Sequence, residues 1–198
     1  MSKGFDKYKV SSEYDVIDFT KIAFAEREKE IISNTQKIDT KNSLYISSSA
    51  KENIFSHIGW GKDISSNSVE QGGLLIGHSY KNRSDNSIIG HVEVAIPATT
   101  AKGSMTYLEF NHATWKMMMD KLDAINEATI ERDLQIIGWY HTHPGRLSVF
   151  MSGTDMNTQR KMFSKEWQFA IVLNPQKQFW RAFNGRNAEE CNGYMLSK

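Results

Sequence analysis

His141 and His143 stand one residue apart at the end of the apolar run Leu134–Tyr140, followed at once by Pro144. In an extended strand, residues i and i+2 project to the same side, so both imidazoles face one way. Asp155 lies twelve positions after His143 and can return to that side with a carboxylate. Two imidazoles and one carboxylate leave a fourth tetrahedral position for water, which is the donor set of a catalytic zinc site. Water held there becomes acidic, with a pKa falling toward about 7. The chemistry implied is hydrolysis. Pro144 and Gly145 are expected to turn the chain away and open room for a substrate, with Trp139 and Tyr140 walling the cavity.

Such chemistry also needs a base and a group to hold the oxyanion. Glu70 opens the apolar run Gly72–Gly77, where a carboxylate is costly unless it has a task or a partner. It is the candidate general acid/base. Ser152 lies three residues before Asp155. Its hydroxyl can donate to an oxyanion, cap a helix, or do both, because a cap uses its lone pair and an oxyanion contact uses its hydrogen. Ser148 is the alternative if the loop folds differently. Arg146 and Phe150, in the same loop, are candidates to contact an extended substrate tail. His57, His78, His91 and His112 have no ligand-like spacing.

The elements that would position these groups follow from hydrophobic period. Ser43–Ser47 reads as a strand, and Ser48 or Ser49 then caps a helix carrying Ile54, Phe55 and Ile58. Glu70–Gly77 and Ile88–Ile96 read as strands joined through a turn over Lys81–Ser87, and Met105–Phe110 as another strand. Trp115, Met118, Met119, Leu122 and Ile125 form one helical stripe. Leu134–Tyr140 is the strand leading into the histidines, and a helix capped by Ser152 runs to about Phe163. Phe169–Leu173 and Phe179–Phe183 form a hairpin across Asn174–Lys177. Residues 1–42 are polar, with a loosely amphipathic helix expected over Lys21–Ser33. The expected fold is α/β: a single curved mixed β-sheet flanked by helices, with 1–42 as a helical N-terminal extension and 43–198 as the functional domain.

The 198 residues fit one domain with extra length, and a hydrophobic fraction of 39% supports a packed core. A formal net charge of +1 offers no basic surplus for nucleic acid. No apolar run approaches the ~20 residues needed to span a bilayer, and the first residues lack the pattern of a secretory signal. The one cysteine, Cys191, cannot make an intrachain disulfide. A cytoplasmic location is the resulting expectation.

Glu70-Gln71-Gly72-Gly73-Leu74-Leu75-Ile76-Gly77, His141-Thr142-His143-Pro144 and Ser152-Gly153-Thr154-Asp155, in this order, resemble the motif of the JAMM (JAB1/MPN/Mov34, MPN+) metalloprotease family. The resemblance implies an MPN/JAB-like, cytidine-deaminase-like fold over about Ser43 to Phe183. It also implies one zinc ion per chain, and a ubiquitin or ubiquitin-like protein conjugate or fusion as substrate. Position by position, it makes His141, His143 and Asp155 the metal ligands, Glu70 the acid/base and Ser152 the oxyanion donor. The run Gly145–Asp155 is also similar to bacterial members associated with ubiquitin-like conjugation and antiphage defence. Between His143 and Ser152 the chain is one residue longer than the family's usual spacing. A non-catalytic MPN-type scaffold and a zinc hydrolase of another substrate class are the alternatives.

Overall fold

Strand-length apolar runs recur between residues 43 and 196, and they build one strongly curved sheet. The computed structural model describes residues 15–17, 29–30, 38–62, 69–82, 85–100, 102–103, 108–128 and 133–196. In chain order the elements are β1 (Asp15–Ile17), β2 (Lys29–Glu30), β3 (Ser43–Ile46), α1 (Ser48–Ile58), β4 (Gly72–Asn82), β5 (Ile88–Pro97), β6 (Lys102–Gly103) and β7 (Leu108–Glu109). They continue with α2 (His112–Ala128), β8 (Gln135–Thr142), α3 (Gly153–Met162), β9 (Phe169–Asn174), β10 (Phe179–Asn184) and β11 (Glu189–Leu196). The expected mixed sheet with helices packed around it is what forms.

The main sheet runs β4-β5-β3-β11-β10-β9-β8, and β8 pairs back onto β4, so these strands close into a ring. The β3–β5, β3–β11 and β8–β9 pairings are parallel and the other four are antiparallel. Closure divides the core. All seven strands send side chains to an interior cluster, among them Leu44, Leu75, Val92, Ile137, Ile171, Trp180 and Met195. Helix α1 plugs this interior with Ala50, Ile54 and Ile58. Its N-cap is Ser47, one residue earlier than expected, and it ends at Gly59, whose φ of 65° is a left-handed cap. The outer face of β4, β8, β9 and β10 carries a second cluster, covered by Met118, Met119 and Leu122 of α2 and by Phe163 at the end of α3.

Within β8 the two clusters alternate out of step. Ile136 belongs to the outer cluster and Ile137 to the interior, but Trp139 is outer and Tyr140 interior. The cause is a bulge: Leu75 pairs with Gly138 and Ile76 with Ile136, leaving Ile137 as the extra residue. A one-residue shift flips every later side chain, so the bulge decides which face His141 and His143 occupy. Gly138 lets β9 approach here, since a Cβ on it would lie 2.1 Å from the Phe169 carbonyl oxygen.

Four expectations are corrected. Tyr140 does not wall the cavity: it points into the ring interior, where its hydroxyl meets His57 Nδ1 at 3.0 Å. Of Met105–Phe110, Leu108–Glu109 is strand, paired with Lys102–Gly103, Phe110 is not, and 105–107 lie outside the described residues. Glu189–Leu196 is a further strand that closes the ring between β10 and β3. In the extension, the expected helix over Lys21–Ser33 does not hold at Lys29–Glu30, which pair with Leu196 and Met195 as a strand. The rest of that helix lies outside the described residues. Asp15–Ile17 pair with Tyr80–Asn82. Among the described residues, no helix is long and apolar enough to cross a membrane.

Candidate metal centre

His141 is the penultimate residue of β8, paired with Gly72, and it faces the outer cluster. Its ring stacks on Trp139 at 4.4 Å between centroids. Trp139 is fixed in turn by its indole N–H, which donates to Gln159 Oε1 of α3 at 2.7 Å. His143 continues the strand beyond its last paired residue, donating its backbone N–H to the Leu173 carbonyl at 2.8 Å. Its ring Nδ1 donates to the Ser148 carbonyl at 2.7 Å. A carbonyl oxygen only accepts, so the proton sits on Nδ1 and the Nε2 lone pair faces outward.

Asp155 arrives from the first turn of α3. Ser152 caps this helix, accepting from the Asp155 amide at 3.2 Å, while Asp155 Oδ2 accepts from the Ser152 amide at 2.7 Å. This reciprocal capping box pins the carboxylate at the helix N-terminus, where negative charge is favoured. Oδ1 lies 3.2 Å from His141 Nε2 and Oδ2 lies 3.2 Å from His143 Nε2. The three ligand atoms are within 4.8 Å of one another, and all three residues are buried.

Two observations show that this group fits a cation. His141 is fully buried, yet neither ring nitrogen has a hydrogen-bond partner; the contact to Oδ1 is too poorly aligned to be one. At His143 an Nε2 lone pair confronts a carboxylate oxygen, acceptor against acceptor. A positive charge between them resolves both. In the metal-free protein a second proton is the substitute. Burial opposes it at His143, but Asp155, the Ser148 carbonyl and Glu70 together hold the imidazole above its ordinary value. Burial dominates at His141 and holds it below, against the pull of Asp155. Burial also opposes ionisation of Asp155, but the two histidines, and after them Ser152, outweigh it and keep the carboxyl far below the usual range.

Glu70 precedes β4. Gln71 donates its amide to Thr142 Oγ1 at 2.9 Å and accepts from the Thr142 amide at 2.8 Å. That reciprocal pair carries the β4–β8 register one step past Gly72–His141 and sets Glu70 across from His143. Glu70 is 5% exposed, and burial pushes its carboxyl up to about 7; His143 lowers it and Asp155 raises it.

The structure therefore brings together His141, His143, Asp155, Glu70 and Ser152. Phe150 also joins them: its half-exposed ring stands edge-on to His143 at 5.6 Å. Arg146 is exposed on the same loop. Ser148 enters through its backbone carbonyl, as the acceptor for His143 Nδ1. Sequence reasoning missed Gln71, Thr142 and Gln159, which hold the site residues through hydrogen bonds. Their types carry no signal of their own; only the register shows the first two.

A ring-closed mixed sheet, plugged by one helix and carrying a buried His, His, Asp group at a strand end, defines the chain as an MPN-type α/β domain. Residues 39–166 match the family described as JAB1/Mov34/MPN/PAD-1 ubiquitin protease, and the chain belongs to that family. It is similar to the ubiquitin carboxyl-terminal hydrolase RPN11 of Saccharomyces cerevisiae, at 30% identity over 72% of this chain and 42% of that protein. It is similar to the 26S proteasome regulatory subunit RPN11 of Candida glabrata, at 30% identity over 76% of this chain and 46% of that protein. A third relative is the COP9 signalosome complex subunit 5 of Debaryomyces hansenii, 31% identical over 57% of this chain and 22% of that protein. The chain spans less than half the length of these relatives.

Proposed function

We propose that this chain is a zinc-dependent isopeptidase or peptidase that cuts after the C-terminus of ubiquitin or a ubiquitin-like protein. The single observation that carries the reading is the buried His141, His143 and Asp155 group, short of a positive charge, with a buried carboxyl group placed across from it. His141, His143 and Asp155 would hold the ion, which when bound supplies Lewis acidity and an acidified water. Glu70, with its carboxyl near neutrality, takes a proton from the attacking water and returns it to the leaving amine. The Ser152 hydroxyl spends a lone pair on the Asp155 amide and keeps its hydrogen for the carbonyl oxygen that becomes negative. Phe150 and Arg146 line the approach of an extended substrate tail. The likeness of Gly145–Asp155 to bacterial members supports a cytoplasmic role in a ubiquitin-like or antiphage pathway.

The test compares wild type with Glu70→Ala on ubiquitin and ubiquitin-like fusions, with and without a chelator, alongside zinc content. Glu70→Ala is expected to retain zinc and lose cleavage by about 10²–10⁴-fold. Equal turnover in the two proteins removes Glu70 from the mechanism. A zinc-loaded wild type that cleaves no such fusion favours the scaffold reading.

A further inference from the structure

The loop from Gly145 to Val149 has no ladder, yet every one of its carbonyls is taken by a side chain. Asn174 Nδ2 donates to the Gly145 and Leu147 carbonyls, each at 3.0 Å. Lys177 Nζ donates to the Arg146 and Leu147 carbonyls, each at 2.9 Å. Arg181 Nη1 donates to the Val149 carbonyl at 3.2 Å and is itself paired with Glu190. The remaining carbonyl, that of Ser148, belongs to His143 Nδ1. Gln176 adds an acceptor for the Gly145 amide at 2.6 Å. All of these donors except His143 come from the β9–β10 hairpin and strand β10.

We infer that Asn174 and Lys177 are positioning residues that hold the metal ligand His143 in its metal-accepting tautomer, by fixing the Gly145, Arg146 and Leu147 carbonyls of the loop that carries its acceptor, the Ser148 carbonyl. The inference rests on the proposed metal site and extends it outward. A carbonyl in a free loop would wander, and the imidazole would lose the acceptor that keeps its proton on Nδ1. Partners of this kind orient histidine ligands and raise their basicity, and their loss costs 10–100-fold in affinity when they touch the ligand directly. Asn174 and Lys177 act one bond further out, so the effect is smaller. Asn174 is fully buried and also accepts the Lys177 amide, whereas Lys177 is exposed, where solvent competes for its bonds. Asn174 is therefore the stronger of the two.

The experiment loads the full chain with zinc and follows transfer of the ion to a chromogenic chelator for wild type, Asn174→Ala, Lys177→Met and Lys177→Arg. Release is expected to be about tenfold faster for Asn174→Ala and about threefold faster for Lys177→Met, with Lys177→Arg close to wild type. Histidine-ring nitrogen spectra of the metal-free proteins at pH 8.5 give a second readout. They should show a slowly exchanging Nδ1 proton on His143 in wild type and its weakening in Asn174→Ala and Lys177→Met. Should Asn174→Ala fail to fold, the exposed Lys177→Met decides alone. Unchanged zinc release and unchanged ring spectra overturn the clamp. A wild type that takes up no zinc overturns the proposed function instead, and the ring spectra still judge the clamp.

Discussion

His141 and its neighbours stand on a strand paired on both sides, to β4 and to β9, whereas Phe150 and Ser152 stand beyond a loop fixed mainly by side chains and a helix cap. The strand half places its ligands by backbone register, which a single substitution on the surface does not move. The loop half places its groups by individual hydrogen bonds, each worth about 0.5–1.5 kcal/mol. Metal binding should thus be all-or-none with respect to the strand residues and graded with respect to the loop.

The largest break in that comparison is expected from His141→Ala. It removes a ligand from the register-fixed half and should abolish zinc retention on a desalting column, while the ring of strands stays folded by circular dichroism. Next comes Ser152→Gly. Glycine at an N-cap costs only a few tenths of a kcal/mol relative to serine, so stability should barely change. Turnover should fall about 10²–10³-fold if the hydroxyl holds the oxyanion. A drop in melting temperature with turnover intact would reduce Ser152 to a cap.

A third experiment reads the electrostatics of the metal-free protein. Glu70 is raised from 4.5 to about 7, so folding favours its protonated form. Its contribution to stability is complete below 4.5 and is lost as pH rises through about 7. Glu70→Gln removes this dependence. In urea titrations, wild type should lose up to about 3 kcal/mol relative to Glu70→Gln between pH 4.5 and pH 8. Parallel curves would mean that Glu70 is solvated. The smallest effect is expected from Phe150→Ala: zinc retention unchanged, and KM for a fusion substrate raised about three- to tenfold with kcat nearly constant. Loss of zinc in that variant would show that the exposed ring guards the ligands rather than the substrate.

Much of the site was legible in the sequence, because its donors are chemically distinctive and sit at strand and helix ends that local pattern reveals. Glu70, His141, His143, Ser152 and Asp155 all converge as their types suggested. Tyr140 looks like a wall residue beside Trp139, and only the bulge sends it inward. Strand β11 escaped notice because Asn192 and Gly193 interrupt its apolar run. Gly193 is there because the Trp180 ring lies where its Cβ would be, 2.3 Å away. Ring closure rests on pairings between segments far apart in the chain, which no local period encodes. Asn174 and Lys177 read as ordinary hairpin residues, since the carbonyls they hold belong to another loop.

The extra residue at Ile137 makes the site a matter of odd and even. Remove one position between Gln135 and His141 without restoring it elsewhere, and both imidazoles would exchange places with Tyr140 and Thr142. They would then look into the greasy chamber that α1 stoppers, out of reach of any carboxylate from α3. The proposed grip on an ion would therefore hang on a count of backbone units six residues upstream of His143, in a stretch whose side chains never touch it.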